Sequence, residues 1–193
     1  MKKFPLLFLL FCFLSAAQFP LRAEKFVDED DREINIKLKG VDGNKYDLSK
    51  MRGNYVLVAF GATWCGPCHE ELRDLEILHR EFKDRPIKFV WVSVDDKEQM
   101  SDGDLRRFAQ TLDFTFPVLR DPDKRAYKQF SERTRLPLLV IFDKEGRVLS
   151  PNQFGAASQP GVFRINLRKR LQKLFLKDRE ALEAVRATDA LEN

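Results

Sequence analysis

Two nearly unbroken apolar runs of strand length lie in the first half of the chain. They span residues 55–60, which read YVLVAF, and residues 87–94, which read IKFVWVSV. Strands covered on both faces of a sheet have continuous apolar runs, whereas half-buried strands alternate apolar and polar residues. The pattern therefore predicts two central strands of one sheet.

A helical repeat lies between these two runs. From about residue 67 to residue 83, apolar side chains recur every three or four positions, at Leu72, Leu75, Leu78 and Phe82. This spacing is typical of a helix with one buried face. The charged residues of the same stretch are predicted to take the opposite side, and they are Glu70, Glu71, Arg73, Asp74 and Arg80.

The other predicted elements complete an α/β chain. Residues 34–48 predict an N-terminal β-hairpin, because apolar and polar residues alternate from Ile34 to Leu38 and Asp42-Gly43 supplies a turn. The later elements are a helix at 102–112, a strand at 117–119, a short helix at 123–131, strands at 138–142 and 147–149, a helix at 160–176 and a weaker helical extension at 178–190. This order predicts an α/β sandwich with a mixed sheet.

The N-terminal region has the layout of a secretory signal. Residues 1–23 combine two lysines, a short apolar stretch and Ala23 before an acidic run. A retained N-terminal anchor is the alternative, although the apolar stretch is shorter than the about 20 residues that span a bilayer. We expect residues 24–33 to be a charged linker, residues 34–176 to form one α/β domain, and residues 177–193 to be a C-terminal helical extension.

Charge and cysteine content narrow the function. The formal net charge is +4, and removal of residues 1–23 would lower it to +1, because that segment holds three basic residues and no acid. A chain so close to neutral gives no reason to expect a nucleic-acid partner. The same cleavage would remove Cys12 and leave one close pair, Cys65 and Cys68, which favours a chemical role over a disulfide framework.

The position of this cysteine pair suits thiol chemistry. Cys65 follows the first central strand and stands where the predicted helix starts. A thiolate is the attacking species in disulfide exchange, and a helix N-terminus lowers the pKa of a thiol. Cys68 is close enough to resolve the mixed disulfide that Cys65 forms. A zinc site is the alternative, but it needs about four ligands and only His69 and His79 remain, so we expect no metal.

The surroundings of the pair give a resemblance to a known family. The pair reads Trp64-Cys65-Gly66-Pro67-Cys68, and Leu136-Pro137 opens a later strand. With these motifs, and with a stretch inserted between Val94 and Leu119, residues 34–175 resemble the thioredoxin superfamily, most closely the TlpA/ResA-like envelope thioredoxins. The resemblance implies a thioredoxin fold, an α/β architecture whose mixed central sheet is flanked by helices, with the N-terminal hairpin and a central insertion.

The resemblance also implies which residues meet the substrate. Trp64 would shield one side of the cysteine pair, although a core position is the alternative. Gly66 and Pro67 would fix the first helical turn. Pro137, cis as in this family, would leave the backbone of Leu136 to pair with an extended substrate.

One acidic residue is expected to assist the cysteines. Thioredoxins have a buried Asp, which helps to deprotonate the second cysteine, where this chain has Ala59. Asp96 follows the second central strand, at the place where ResA-like proteins have a Glu. The sequence therefore predicts that Asp96 transfers protons to and from Cys68.

These observations predict an exported protein-disulfide reductase. Its substrates would be disulfide-bearing proteins, and a membrane thiol reductase would supply its electrons in the periplasm or cell envelope. We expect a monomer with no cofactor beyond the redox-active Cys65–Cys68 disulfide. A disulfide oxidant or isomerase on the same fold is the alternative, and a copper carrier is less favoured. A peroxidase would need Thr or Ser at position 62, where this chain has Ala62.

Overall fold

The computed structural model describes residues 29–154 and 161–191, and within them it contains eight strands and three α-helices. The strands are β1 (Glu29–Glu33), β2 (Lys37–Gly40), β3 (Lys45–Asp47), β4 (Tyr55–Gly61), β5 (Ile87–Ser93), β6 (Val118–Arg120), β7 (Leu138–Phe142) and β8 (Arg147–Phe154). The helices are α1 (Gly66–Glu81), α2 (Asp102–Thr111) and α3 (Val162–Leu191). The predicted N-terminal hairpin is confirmed as β2 and β3.

All eight strands form one mixed sheet in the order β1-β8-β7-β4-β5-β6-β2-β3. Strand β4 is parallel to β5 and antiparallel to β7, and β5 is parallel to β6. The predicted thioredoxin fold with a mixed central sheet is confirmed. Because β4 is central, the chain that leaves its carboxyl end has neighbouring strands on both sides.

The two faces of the sheet are covered differently. Successive side chains of a strand point to opposite faces, so Leu57 and Val58 of β4 belong to two separate cores. Leu57 lies on the face that packs against all three helices. Val58 lies on the other face, which is covered by residues around 34–48 and 126–136. The central strands are therefore buried on both faces, as their continuous apolar runs predict.

The prediction of a charged linker at residues 24–33 is wrong for residues 29–33. Residues 29–33 form strand β1, which pairs with β8 in antiparallel register, Glu29 opposite Leu149 and Asp30 opposite Val148. Backbone groups make these bonds, and charged side chains are common on edge strands, so the charge run carried no strand signal. Residues 24–28 and the predicted signal peptide or anchor at 1–23 lie outside the described residues.

The predicted short helix at 123–131 is also wrong. Only Tyr127–Gln129 form a single 3-10 turn. The carboxylate of Asp121 accepts hydrogen bonds from the backbone N–H groups of Ala126 (3.2 Å) and Tyr127 (2.8 Å), and Lys124 has a left-handed φ of 56°. A side chain that takes backbone donors in this way competes with helical hydrogen bonds.

Helix α3 continues without a break past the predicted domain boundary at residue 176. Two residues further on, Asp178 anchors it to the sheet. The hydroxyl of Tyr55 donates to Asp178 Oδ1 (2.9 Å), and Lys144 Nζ lies 2.6 Å from Asp178 Oδ2. No helix within residues 29–154 and 161–191 is both long enough and apolar enough to cross a membrane.

Replacing Asp178 tests this anchor. Asp178→Ala should lower the free energy of unfolding by about 1–2 kcal/mol, because it removes the hydrogen bond to buried Tyr55 and the ion pair with Lys144. Urea denaturation of the oxidised protein measures the change. Glu180→Ala, on the exposed surface of the same helix, is the matched control and should cost less than about 0.5 kcal/mol. Equal losses in the two variants would contradict an anchor at Asp178.

Candidate functional site

The two cysteines lie at the start of α1 and are joined to each other. Cys65 is the N-cap of the helix, and Pro67 stands in the first turn, where its missing N–H group costs no helical hydrogen bond. The Cys65–Cys68 disulfide has an S–S distance of 2.07 Å and a Cα–Cα distance of 5.3 Å. Cys65 is 6% exposed and Cys68 2% exposed, so Cys68 is the more enclosed of the two.

The end of β4 allows α1 to approach the sheet closely. A Cβ atom on Gly61 would lie 2.8 Å from Trp91 Nε1 and 3.3 Å from Cys68 Sγ, so only glycine fits between them. Cys68 therefore packs directly on the backbone of the strand. The inner side of the disulfide is closed by the sheet, which leaves attack to come from the side of Cys65.

The peptide bond between Leu136 and Pro137 is cis, as the family resemblance implies. It directly precedes β7, in which Leu138 pairs with Phe60 of β4. Since Phe60 is followed by Gly61 at the end of β4, the cis-proline lies at the same end of the sheet as the disulfide. The predicted cysteine pair and Leu136-Pro137 are thus brought together.

Trp64, Gly66 and Pro67 form the exposed part of the site. Trp64 is 67% exposed, which excludes the alternative that it belongs to the core. Gly66 and Pro67 are exposed as well. These three residues present a surface around the buried disulfide.

A buried carboxylate holds the segment that leads into the cysteine pair. Asp95 accepts hydrogen bonds from the backbone N–H (3.1 and 3.0 Å) and the hydroxyl (2.8 Å) of Thr63, and from the hydroxyl of Ser93 (2.8 Å). From the other side, His69 Nε2 lies 2.7 Å from the Thr63 carbonyl oxygen, so this nitrogen carries the proton. Its ring contacts Phe108 edge to face, at 5.1 Å between centroids. Both backbone polar groups of Thr63 are therefore fixed.

Asp96 has a different setting from its neighbour. Its side chain is exposed, and Oδ1 accepts a hydrogen bond from the backbone N–H of Glu98 (3.1 Å). Hydrogen bonding to Glu98, first with its side chain and then with its backbone N–H, holds the pKa of Asp96 below its ordinary value. Of the two adjacent aspartates, Asp95 is the one bonded to the active-site segment. Sequence reasoning missed it because the apolar run before it is buried on both faces and does not reveal which side chain turns inward.

Glu71 is a second residue that the sequence misplaced. It was expected on the solvent-facing side of α1, but it is only 2% exposed, and Oε2 has no hydrogen-bond partner among the described residues. Burial, with a smaller contribution from the negative charge of Asp74, raises the pKa of Glu71 to about 8. Residues three apart in a helix lie on one face, so Glu71 and Cys68 are neighbours. Its position in the polar half of the helical repeat gave no signal of this burial.

Together these features suit exchange between thiols and disulfides. The pair stands at a helix N-terminus, which stabilises a thiolate. An exposed surface and a cis-proline adjoin it, and a buried acid of raised pKa lies one turn along the helix. No other chemistry is needed to explain this combination of residues.

Comparison with known proteins agrees with this geometry. Residues 30–150 match the AhpC/TSA family. The thioredoxin-like protein YneN of Bacillus subtilis (strain 168) is 33% identical over 125 residues, which cover 65% of this chain and 71% of that protein. The thiol-disulfide oxidoreductase ResA of Bacillus cereus (strain ZK / E33L) is 27% identical over 157 residues, covering 77% and 88%.

A solved structure shares the fold over most of its length. It is the pneumococcal exposed lipoprotein thioredoxin Etrx1 of Streptococcus pneumoniae strain TIGR4, with a TM-score of 0.58 and 26% identity, covering 72% of this chain and 99% of that one. The chain belongs to the AhpC/TSA family, and within it to the thioredoxin-like thiol-disulfide oxidoreductases.

Proposed function

We propose that this thiol-disulfide oxidoreductase is an exported protein-disulfide reductase. The observation that carries the proposal is the Cys65–Cys68 disulfide at the start of α1, set beside cis Leu136-Pro137. A peptide that runs along Leu136 can use the backbone groups there to hold its own disulfide over Cys65. The Gly-Pro dipeptide within the pair resembles that of thioredoxin and favours the reductase over an oxidant.

The reaction proceeds in two exchanges. The Cys65 thiolate attacks one sulfur of the substrate disulfide, forms a mixed disulfide and releases the other sulfur as a thiolate. Cys68 then loses its proton and attacks Cys65 Sγ, which forms the Cys65–Cys68 disulfide and releases the second substrate sulfur. Two electrons pass to the substrate, whose thiolates take up two protons. A dithiol donor reverses these steps and recharges the enzyme.

The second exchange needs a group that accepts the proton of Cys68. The burial of Glu71 one helical turn away, together with its raised pKa, supports Glu71 in this role. Asp96 stays the candidate that the sequence favours. Its exposure and lowered pKa make it the weaker base.

The cellular setting follows from the sequence of residues 1–23, which predicts export to the periplasm or cell envelope. An envelope is oxidising, so a reductant there depends on a partner that delivers electrons across the membrane. We therefore propose a membrane thiol reductase as the electron donor and disulfide-bearing proteins as substrates. The disulfide itself is then the redox group, with no separate cofactor.

Trapping experiments test the roles of the two cysteines. In Cys68→Ser the mixed disulfide cannot be resolved, so covalent adducts through Cys65 should accumulate with substrates and with the donor. Cys65→Ser should trap little, because the enclosed Cys68 is poorly placed to attack. Non-reducing gels and mass spectrometry identify the adducts, and the double Ser variant is the control. Adducts formed mainly through Cys68 would reverse the assignment.

The reduction potential separates a reductase from an oxidant. Equilibration with glutathione buffers should give a value near that of thioredoxin, about −270 mV, and far from the about −120 mV of a strong oxidant. The redox state of the pair is read from thiol alkylation and mass. A potential above about −150 mV would favour the disulfide oxidant instead.

The buried acid predicts a pH dependence of stability. The pKa of Glu71 is raised from 4.5 to about 8 by folding, so the native state binds more protons than the unfolded state in this range and loses stability as pH rises. Glu71→Gln removes this loss. Between about pH 5 and pH 8, the oxidised variant should gain on the order of 3 kcal/mol relative to wild type, by urea denaturation. A constant difference across this range would contradict the raised pKa.

The same variant tests proton transfer. Glu71→Gln should slow the resolution of a preformed mixed disulfide, measured by stopped-flow release of the substrate thiol, whereas Asp96→Asn should leave it near the wild-type rate. The opposite result would assign the proton transfer to Asp96.

A further inference from the structure

A basic stretch of chain lies on the cis-proline side of the disulfide. Cys65, Tyr127 and Leu136 belong to one contiguous core on the same face of the sheet. The stretch leads directly into cis Leu136-Pro137, which lies at the same end of the sheet as the disulfide. Five cationic side chains of residues 124–135 are at least partly exposed and are called the basic rim below: Lys124, Arg125, Lys128, Arg133 and Arg135.

The charge of the basic rim is only partly balanced by its own segment. Exposed acids there are limited to Asp123, which lies 3.7 Å from Arg125, and Glu132. Asp121 does not reduce the surface charge, since it is buried and binds backbone N–H groups. Within the described part of the chain, neither Lys128 nor Arg133 has an ion-pair partner.

Two cations of α3, by contrast, form ion pairs with another helix. On α3, Arg164 pairs with Asp74 (2.7 Å) and Arg168 with Glu81 (2.8 Å), both on α1. These contacts stabilise the packing of two helices. Lys128 and Arg133 have no such ion-pair partner among the described residues, and both are exposed.

The backbone of the basic rim is held in place by Tyr127. Its buried hydroxyl accepts a hydrogen bond from the N–H of Arg135 (2.7 Å) and lies 2.8 Å from the Arg135 carbonyl oxygen and 3.1 Å from that of Arg133. The ring of Tyr127 packs edge to face on Phe60, 5.6 Å between centroids, just before β4 ends at the site. The cations therefore have a fixed backbone position relative to the cis-proline.

We propose that the basic rim selects disulfide substrates that carry acidic side chains close to the reacting disulfide. This inference rests on the proposed reductase function. A substrate held along Leu136 lies close to Arg133, and to Lys128, which follows the Tyr127 that bonds the backbone of Arg133 and Arg135. Opposite charges brought together there favour binding and speed encounter. On the other side of β4, the exposed acids Asp96 and Glu98 flank exposed Lys97, so that segment has no excess of positive charge.

Peptide reduction tests the selection directly. Three short peptides with one internal disulfide differ only in flanking residues, which are Glu, Gln or Lys. Pre-reduced enzyme and peptide are mixed in single turnover, and the product thiols are counted by mass after acid quenching. The Glu peptide should react fastest and the Lys peptide slowest, with a difference of roughly tenfold at about 20 mM ionic strength that shrinks at about 300 mM.

Charge reversal locates the effect. Lys128→Glu combined with Arg133→Glu should abolish or invert the order of the peptides, while Lys128→Arg combined with Arg133→Lys should keep it. Lys83→Glu combined with Lys88→Glu makes the same charge change at the far ends of α1 and β5 and should leave the order unchanged. Circular dichroism and thermal melting show that each variant is folded.

Three results would overturn the inference, and they are distinguishable. Equal rates for all three peptides would contradict the selection of acidic substrates but not the reductase function. Failure to reduce any peptide, with both thiols still reactive, would overturn the reductase function itself. Loss of binding to phosphatidylglycerol vesicles in the Lys128/Arg133 reversal, with the peptide order unchanged, would assign the basic rim to a lipid surface.

Discussion

The close approach of α1 to the end of β4 is the constraint on which the site depends. Only the missing side chain of Gly61 lets Cys68 pack on the strand backbone beside Trp91. This contact puts the disulfide at the helix N-terminus and, at the same time, at the carboxyl end of a central strand. There β5 delivers Asp95 from one side and the turn into β7 delivers Pro137 from the other.

Hydrogen bonds then hold the segment that leads into the cysteine pair. Asp95 and His69 hold the two backbone polar groups of Thr63, directly before Trp64 and Cys65. The exposed Trp64 and the N-cap residue Cys65 thus follow a segment whose backbone is held by hydrogen bonds. The Glu71 carboxyl group is buried, and its Oε2 has no hydrogen-bond partner among the described residues, so it stays protonated more readily than a carboxyl group in water.

The two faces of the sheet are covered by different kinds of structure. Three helices cover one face, and ion pairs between α1 and α3 strengthen that layer. The other face is covered by irregular chain whose shape comes from Asp121 and Tyr127. Irregular chain can present a cis-proline and exposed charges at fixed positions, which a regular helix in the same place would not do.

The sequence by itself determined the central strands, the three α-helices and the cysteine pair. The apolar pattern identifies β4 and β5 because nearly every residue in them is buried, and it identifies α1 because every third or fourth residue is buried. The cysteine motif from Trp64 to Cys68 is visible because its residues are adjacent in the chain. Strand β1 escaped this reasoning because an edge strand needs only backbone partners. Only the tertiary structure decided that Glu71 is buried and that Asp95 holds Thr63, since the environment of a charged side chain is set by distant parts of the chain that fold around it.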